Sequence, residues 1–509
     1  MLCKADAIGV FQVESRAQMN MLPRLRPEKF YDLVVEIAIV RPGPIQGNMV
    51  HPYLRRKQGK EKVEYPSPHP DHGPSDELVG VLGNTLGVPL FQEQAMKLAI
   101  VAAGFTPSQS NGLRRAMATF RNLGTIDKYK EMFIGGMTRR GYRQEFAENC
   151  FKQIEGFGSY GFPESHAASF AHLAYISAWI KKYHPAAFAA ALLNSQPMGF
   201  YAPAEIVRDA REHHVETRAP DVNFSDWDNI LEHRFGDGAL ALRLGFRQIG
   251  GFKEEWAREI ENGRGYGYFK FSDLMKRTGI PKRAVLILAE ADALRSLKMD
   301  RRESLWAARR LVDNGDLPLF GIRRIPEQAK EDIEALPVMP LSEHVLADYQ
   351  TLRLSLKAHP TQFLRPIFET EGIQSCAEVE AGNDKNRARC AGIVLVRQMP
   401  GAKGVVFVTL SDETGITNVV IWPSVFAQFR KEVMGGRLLC IEGKIQKADN
   451  VVHLVAEKIS DRSHELNRLA ENDFRPNAVK LEDLAFQPPD SRARHPRNVR
   501  VLPKSRDFH

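Results

Sequence analysis

The chain has 509 residues, a formal charge of +8 at pH 7 and a pI of about 9.1, and 43% of its residues are hydrophobic. The length predicts roughly three or four domains, and the composition excludes a disordered chain. The charge favours a polyanionic partner, and the sequence holds no apolar run of about eighteen residues, so no membrane span is expected.

The five cysteines are scattered and form no CxxC pair. This pattern predicts neither a zinc ribbon nor a disulfide framework. The first residues carry neither an apolar signal core nor a cleavage site. We therefore expect a reduced, cytoplasmic protein.

Residues 1 to about 220 show mainly helical patterns interrupted by proline and glycine turns. Residues 91–104 predict an amphipathic helix that Gly104 ends. Residues 166–183 are apolar on most faces, which predicts a buried helix, with Lys181 and Lys182 in its last turn where they complement the helix dipole.

Arg114 and Arg115 are adjacent in a helical segment, so their side chains diverge by about 100°. Two such guanidinium groups could flank one triphosphate from two sides, because each can bind phosphate oxygens in a bidentate manner. Two solvated surface arginines are the alternative.

Gly156, Gly158 and Gly161 surround Tyr160 and lead into a helix near Pro163, a junction that favours anion binding. Tyr160 could also stack on a base or a sugar. An ordinary glycine turn fits the same pattern, and the absence of GxxxxGK[ST] excludes a P-loop ATPase.

Residues 244–252 hold a Gly-Gly turn before a polar helix, and a second short helical pair spans residues 281–294. This pattern suits a helix-hairpin-helix module, whose backbone N–H groups bind phosphates. The candidate DNA-binding residues are Arg247, Gly250, Gly251 and Lys253. A plain helical hairpin is the alternative.

Asp226 and Asp228 form a D-x-D pair with Asp221 nearby. A two-metal site needs such carboxylates close together. The polar surroundings favour a surface turn instead. The histidines His69, His72, His213 and His214 likewise favour solvated positions over a metal site.

Leu317, Leu319 and Phe320 form a short apolar segment that could insert into a groove on a partner or pack as a buried loop. Residues 388–460 predict five strands with a helix between the third and fourth, as in an OB-fold barrel. The tail from residue 488 is rich in Pro, Arg and His and could bind DNA, dock on a partner or be simply solvated.

Five motifs follow one another in a fixed order: GVFQVESR at residues 9–16, RPGP at 41–44, FQEQ at 91–94, LRRAM at 113–117, and YGF with SH at 160–166. The chain resembles the bacterial C-family DNA polymerases, the polymerase III alpha type, in these motifs. The end of the chain, residues 494–509, resembles the error-prone branch.

The resemblance implies an α+β multidomain fold. Residues 1–220 would be polymerase fingers, 221–315 a helix-hairpin-helix region, 316–387 a connector, 388–460 an OB domain and 461–509 a tail. Arg114, Arg115, Tyr160 and His166 would bind the incoming dNTP. Leu317, Leu319 and Phe320 lie where the family carries its sliding-clamp motif, although Asp316 replaces the usual leading Gln.

The resemblance also implies primer-template DNA as substrate, Mg²⁺ in the parent enzyme, and mutagenesis accessory proteins as partners. The family's palm aspartates would precede residue 9, so we expect the C-terminal half of an error-prone polymerase that does not extend a primer alone. Pro163-Glu164 replaces the Asn-Lys of replicative members, which predicts looser triphosphate binding. A non-catalytic DNA-binding or scaffold protein is the alternative.

Overall fold

The structure is a computed structural model. It describes residues 1–40, 50–118, 123–156, 163–197, 201–234, 236–311, 338–399, 404–448 and 451–470. The chain divides into two compact units, Met1–His184 and Pro185–His509. None of the described helices has the length and the apolar character needed to cross a lipid bilayer.

The first unit is helical throughout its described part. Its α-helices, in chain order, are α1 (Arg16–Leu25), α2 (Phe30–Ile39), α3 (Val50–Lys57), α4 (Glu77–Leu82), α5 (Gln92–Val101), α6 (Pro107–Ala118), α7 (Leu123–Arg139), α8 (Gln144–Gly156) and α9 (Glu164–Tyr183).

Helix α2 is the central element of this unit, because its residues from Asp32 to Ile39 are all buried. Asp32, in the first turn, stabilises the start of the helix by accepting hydrogen bonds from the backbone N–H groups of Glu28 (2.8 Å) and Lys29 (3.0 Å). Burial opposes the ionisation of Asp32, but the Lys57 ammonium at 2.7 Å and the two amides outweigh it and lower the pKa of this carboxyl.

Helix α5 confirms the helix predicted over residues 91–104, although it ends earlier, at Val101. Gln94 Oε1 accepts from the backbone N–H of Leu90 (2.9 Å) and of Phe91 (3.3 Å), which satisfies amides at the helix start. Gly104 lies beyond the end with a positive φ of 70°.

The prediction that helix α9 is buried on most faces is wrong. Its buried face consists of small residues and one lysine: Ala167, Ala171, Ala174, Ala178 and Lys181. Leu173, Ile176 and Trp179 are exposed instead. Alanines spaced three and four residues apart form one stripe, and the lack of bulk lets α9 pack closely on α2. The larger apolar side chains therefore face outward.

The second unit begins with α10 (Pro185–Asn194) and α11 (Pro203–Glu212). A three-stranded sheet follows, in which β1 (Thr217–Arg218) pairs in parallel with β3 (Leu240–Arg243), and β3 pairs antiparallel with β2 (Ile230–His233). The helices that come next are α12 (Glu254–Arg264), α13 (Phe271–Thr278), α14 (Lys282–Glu290), α15 (Arg301–Arg310), α16 (Leu341–Thr351), α17 (Pro360–Thr370) and α18 (Cys376–Ala381).

A closed five-stranded barrel completes this unit, and it confirms the OB-fold prediction. Its elements are β4 (Arg387–Gln398), β5 (Val406–Ser411), β6 (Ile416–Ile421), α19 (Pro423–Gln428), α20 (Arg430–Gly435), β7 (Leu438–Ala448) and β8 (Val451–Asp461). The order around the barrel is β4-β5-β6-β8-β7, closed by antiparallel pairing of β4 with β7 and parallel pairing of β6 with β8.

The turn between β5 and β6 is tied to the helices beside the barrel. Asp412 Oδ1 accepts from the backbone N–H groups of Thr414 (2.8 Å) and Gly415 (3.0 Å), which closes the predicted turn. Its other oxygen, Oδ2, accepts from Arg365 of α17 and from the backbone N–H of Cys376 in α18. Asp412 therefore joins α17 and α18 to the barrel.

Candidate nucleotide and nucleic-acid sites

Arg114 and Arg115 are both exposed on α6, while Leu113 and Ala116 beside them are buried. Arg114 Nε donates to Asn111 Oδ1 at 3.2 Å. The helix lies close to α7, because a methyl group at Gly112 would be 2.1 Å from Tyr129 Oη. A packed helix thus presents two diverging guanidinium groups to solvent, and their binding to a triphosphate stays a prediction.

Three of the sequence motifs meet around the start of α9. The ring of His166 lies 4.1 Å from the ring of Phe170, and Phe170 makes an edge contact with Phe11 at 5.3 Å. The backbone N–H of Glu164 donates to Glu93 Oε2 at 3.0 Å. Residues 9–16, 91–94 and 163–166 are therefore brought together, although they are far apart in sequence.

Glu164 adds a carboxylate to this region. Tyr31 donates its phenolic hydrogen to Glu164 Oε1 at 2.5 Å. Burial, followed by this contact with Glu164, raises the pKa of Tyr31 well above its ordinary value, so the phenol stays a donor. Glu93 and Glu164 make the start of α9 locally acidic.

Several predicted positions lie outside the described residues. Tyr160 is one, as is the RPGP motif at residues 41–44. Leu317, Leu319 and Phe320 are also outside them. Their proposed roles stay predictions.

The first hairpin, which holds the Gly-Gly turn of residues 244–252 before α12, directs several of its polar groups to partners within the chain. Arg247 donates to Asp228 Oδ1 (2.5 Å) and to the carbonyl oxygen of Asn194 (2.8 Å). The backbone N–H of Gly250 donates to the carbonyl of Thr351 at 2.8 Å. Arg247 therefore holds local structure, and its DNA-binding role stays a prediction.

Gly251 and Lys253 remain accessible in the same hairpin. Both are exposed, and Lys253 Nζ lies 2.9 Å from Glu255 Oε1 and 5.1 Å from the centre of the Trp256 ring. An exposed ion pair of this kind is weak, so a phosphate can compete for the ammonium. Helix α12 begins with Glu254 and Glu255, which makes this hairpin less attractive to an anion.

The second hairpin, between α13 and α14, is more basic, and sequence reasoning did not single out its side chains. Lys276 lies in the last turn of α13, and Lys282 and Arg283 begin α14. None of the three forms an ion pair within the part of the chain that the structure describes. The charge pattern was the available signal: residues 264–283 contain six basic side chains and one acidic one.

The aspartates around residue 226 are engaged in structural contacts. Asp226 pairs with Arg264 at 2.9 Å and Asp228 with Arg247 at 2.5 Å. Asp221 accepts from the backbone N–H groups of Asn223 and Ser296. These contacts agree with a structural turn, and the three side chains do not fit a metal site.

The outer face of the OB barrel carries a row of side chains across four strands. Phe407 on β5 lies opposite Val420 on β6, Val420 pairs with Val455 on β8, and Val455 lies opposite Lys444 on β7. Phe407 is partly exposed and Lys444 is exposed. An aromatic ring and an ammonium on one barrel face suit a single strand, which OB folds bind by stacking and charge.

Three family models match the chain in the order that the motifs imply. Residues 1–141 match the bacterial DNA polymerase III alpha subunit finger domain. Residues 214–304 match a helix-hairpin-helix motif, and residues 388–462 match an OB-fold nucleic acid binding domain. The fold and these matches relate the chain to the bacterial DNA polymerase III alpha subunits.

Comparison with curated proteins identifies a narrower group of relatives. The chain is 58% identical over 539 residues to an error-prone DNA polymerase of Rhodopseudomonas palustris strain BisA53, covering 100% of this chain and 47% of that protein. It is 59% identical over 511 residues to one of Brucella abortus, and 53% over 575 residues to one of Bradyrhizobium diazoefficiens, covering 46% and 50% of those proteins. The chain is thus a relative of the error-prone DNA polymerases and spans about half their length.

Proposed function

We propose that this chain supplies the nucleotide-binding and DNA-binding part of an error-prone DNA-directed DNA polymerase, a nucleotidyltransferase of damage-induced mutagenesis and translesion synthesis. The observation that carries this proposal is 53–59% identity to error-prone DNA polymerases along the whole chain. The exposed arginines of α6 and the basic hairpin before α14 support it.

The nucleotide would be bound by Arg114 and Arg115, with Tyr160 and His166 at its base or sugar. Guanidinium groups remain charged at any working pH and give strong charge-assisted hydrogen bonds to phosphate. Glu93 and Glu164 lie near His166, so their charge would repel a triphosphate. Weaker nucleotide binding than in a replicative enzyme follows from this arrangement.

Primer-template DNA would lie across the second unit. Lys276, Lys282 and Arg283 offer phosphate contacts, with Gly251 and Lys253 as further contacts in the first hairpin. The OB face with Phe407 would hold unpaired template, because aromatic stacking tolerates any base.

Nucleotide binding by the α6 arginines can be tested with the 509-residue chain and a labelled dNTP. Arg114→Ala or Arg115→Ala should each weaken binding roughly tenfold or more, since a hydrogen bond to a charged group contributes about 1.5–3 kcal/mol. Arg139→Ala, which removes another exposed arginine at the end of α7, is the matched control. Unchanged dNTP affinity in both α6 variants would contradict the role of these arginines in nucleotide binding.

A non-catalytic DNA-binding or scaffold protein is the second candidate, favoured by the engagement of Asp226 and Asp228 in ion pairs. Mg²⁺ would serve the complete polymerase. Nucleotide binding separates the candidates, because a polymerase part should bind the labelled dNTP through Arg114 and Arg115, whereas a scaffold should bind DNA and no dNTP. We expect the 509-residue polypeptide to bind primer-template without extending it, and magnesium-dependent synthesis would contradict that expectation.

The proposal also includes one location and two kinds of protein partner. They are a cytoplasmic location, sliding-clamp binding through Leu317, Leu319 and Phe320, and contact with mutagenesis accessory proteins. Clamp binding can be tested by retention of the 509-residue chain on immobilised clamp. The triple alanine variant at these positions should lose any retention that the parent shows, and equal retention would remove the segment from the proposal.

A further inference from the structure

The loop between α12 and α13 holds two aromatic side chains in solvent. Tyr266 is fully exposed, and Phe269 keeps 77% of its surface exposed. Among the aromatic side chains exposed in the described residues, these two have the largest exposed fractions. Large aromatic side chains at such exposure, three positions apart in one loop, are candidates for an interaction site.

The loop that carries them is firmly held. Between the two rings, Tyr268 is buried, and its hydroxyl donates to the carbonyl of Ile260 at 2.7 Å. Asn223 brackets the same residue, accepting from the N–H of Tyr268 at 2.6 Å and donating to its carbonyl at 2.9 Å. Arg277 donates to the carbonyl of Gly267 at 2.8 Å, with its guanidinium 4.8 Å from the centre of the Tyr268 ring.

Two glycines also fix the backbone conformation of this loop. Gly265 and Gly267 have positive φ angles of 48° and 111°, on either side of Tyr266. Residues with side chains rarely adopt these angles, so the two glycines set the turn that projects Tyr266. The exposed rings are thus presented by a preorganised loop, which lowers the entropy cost of binding.

The surroundings are basic. Lys270 adjoins Phe269, and Lys276 lies within the following helix. Neither side chain forms an ion pair within the described ranges. Asp273 is the one acidic residue between Glu261 and Glu290. A polyanion therefore suits this surface better than an acidic or neutral peptide does.

We propose that Tyr266 and Phe269 form a stacking site for an unpaired nucleobase of bound DNA. The loop lies between α12 and α13. From the helical rise per residue, it is about 16 Å along α12 from the Gly-Gly hairpin and about 12 Å along α13 from the basic hairpin. A strand gripped at the hairpins by its phosphates would bring a base within reach of the rings. This inference rests on the proposed DNA-binding function.

A double-mutant cycle between the loop and the DNA tests the site. The 509-residue chain and its Tyr266→Ala, Phe269→Ala and doubly substituted variants are titrated with end-labelled primer-template DNA that has a single-stranded template overhang. A second series replaces each overhang base in turn by an abasic site. Blunt duplex of equal length is titrated in parallel, and anisotropy gives each Kd.

The parent should lose roughly tenfold in affinity at one or two abasic positions, since stacking on an aromatic ring contributes about 1–3 kcal/mol per base. The doubly substituted variant should bind intact overhang DNA correspondingly less tightly and lose nothing further at those positions, because the coupling is gone. Tyr266→Phe should behave as the parent. Trp306→Ala, which removes a half-exposed aromatic residue of α15, is the matched control.

Other outcomes overturn the proposal. Equal affinity of the parent and the doubly substituted variant for overhang DNA would show that the rings do not stack, and would leave a protein partner as the occupant of the loop. An equal loss on blunt duplex and overhang DNA would indicate backbone contact instead of stacking. If the parent binds neither DNA, the DNA-binding function itself fails, and the stacking site fails with it.

Discussion

Lys181 Nζ lies 2.8 Å from Asp6 Oδ1, although 175 positions separate the two residues. The lysine is buried in the last turn of α9 and also donates to the carbonyl of Ile8 at 3.1 Å. A buried ammonium needs such partners, because its desolvation is otherwise very costly. The contact fixes the segment before residues 9–16 against the helix that carries His166.

Lys181→Met should therefore destabilise the first unit by about 2–4 kcal/mol, since it leaves Asp6 and the Ile8 carbonyl without the ammonium. Lys182→Met is the matched control, because the neighbouring lysine is exposed and should change stability by less than about 0.5 kcal/mol. Urea unfolding with hydrogen exchange read on α9 peptides measures both. Equal effects in the two variants would contradict the structural role of Lys181.

Gly112 and Tyr129 provide a second test, on the helix that carries the arginine pair. A methyl group at Gly112 would lie 2.1 Å from Tyr129 Oη, so Gly112→Ala forces the end of the Tyr129 side chain to move, at a cost of about 1 kcal/mol that the better helix propensity of alanine partly offsets. Tyr129→Phe removes the closest atom and should partly restore stability in the double variant. A simply additive pair of effects would argue against this contact.

The fold was largely predictable from sequence where one pattern had one physical meaning. The five strand-like segments of residues 388–460 predicted the barrel, because their number and the helix between the third and the fourth are typical of an OB fold. Helix α9 shows the limit of such reasoning. Its large apolar residues suggested burial, but the alanine stripe gives closer packing against α2, and only the neighbouring helix decides which face is used.

The candidate sites show a similar division. The motif order led to Arg114 and Arg115, and the structure places both in solvent on a packed helix. Arg247 was singled out from its neighbouring glycines, yet its partners Asp228 and Asn194 come from other segments. A contact between distant segments leaves no local signal, so sequence could not foresee that this guanidinium is already engaged.

The basic hairpin leads to a prediction on salt dependence. Removing Lys282 and Arg283 together should weaken DNA binding at low salt and reduce the slope of log K against log salt by about 1–2, because each phosphate contact contributes about 0.9. The loss should be similar on unrelated DNA sequences, since phosphates carry no base identity.

Arg258→Ala is the control for this experiment. Arg258 is exposed on α12, but its guanidinium is paired with Glu254 at 3.1 Å and Glu261 at 2.8 Å. Its removal should leave the slope unchanged. A slope that stays constant in the Lys282→Ala, Arg283→Ala variant would exclude this hairpin as a phosphate site, whatever happens to affinity.

His359 predicts an acid sensitivity of the barrel and the helices beside it. Its side chain begins α17, where Nδ1 lies 2.5 Å from Thr361 Oγ1. Burial lowers the pKa of His359 to about 4, and the nearby Arg365 guanidinium acts in the same direction, while Asp412 and Glu413 oppose it. The imidazole is therefore neutral in the folded protein at neutral pH.

The sign of the effect follows from the unfolded chain, in which a histidine titrates near 6.5. Between about pH 6.5 and 4 the unfolded state takes up a proton that the folded state does not. The free energy of unfolding therefore decreases by up to about 3 kcal/mol as the pH is lowered through this range. His359→Gln should remove most of this slope, whereas His464→Gln, at an exposed position, should keep it. Urea-dependent hydrogen exchange on β5 and β6 peptides, corrected for intrinsic rates, measures the difference. A slope between pH 6.5 and about 5 that persists in His359→Gln would contradict this prediction, because Glu413, whose pKa is lowered, loses its contribution only at more acidic pH.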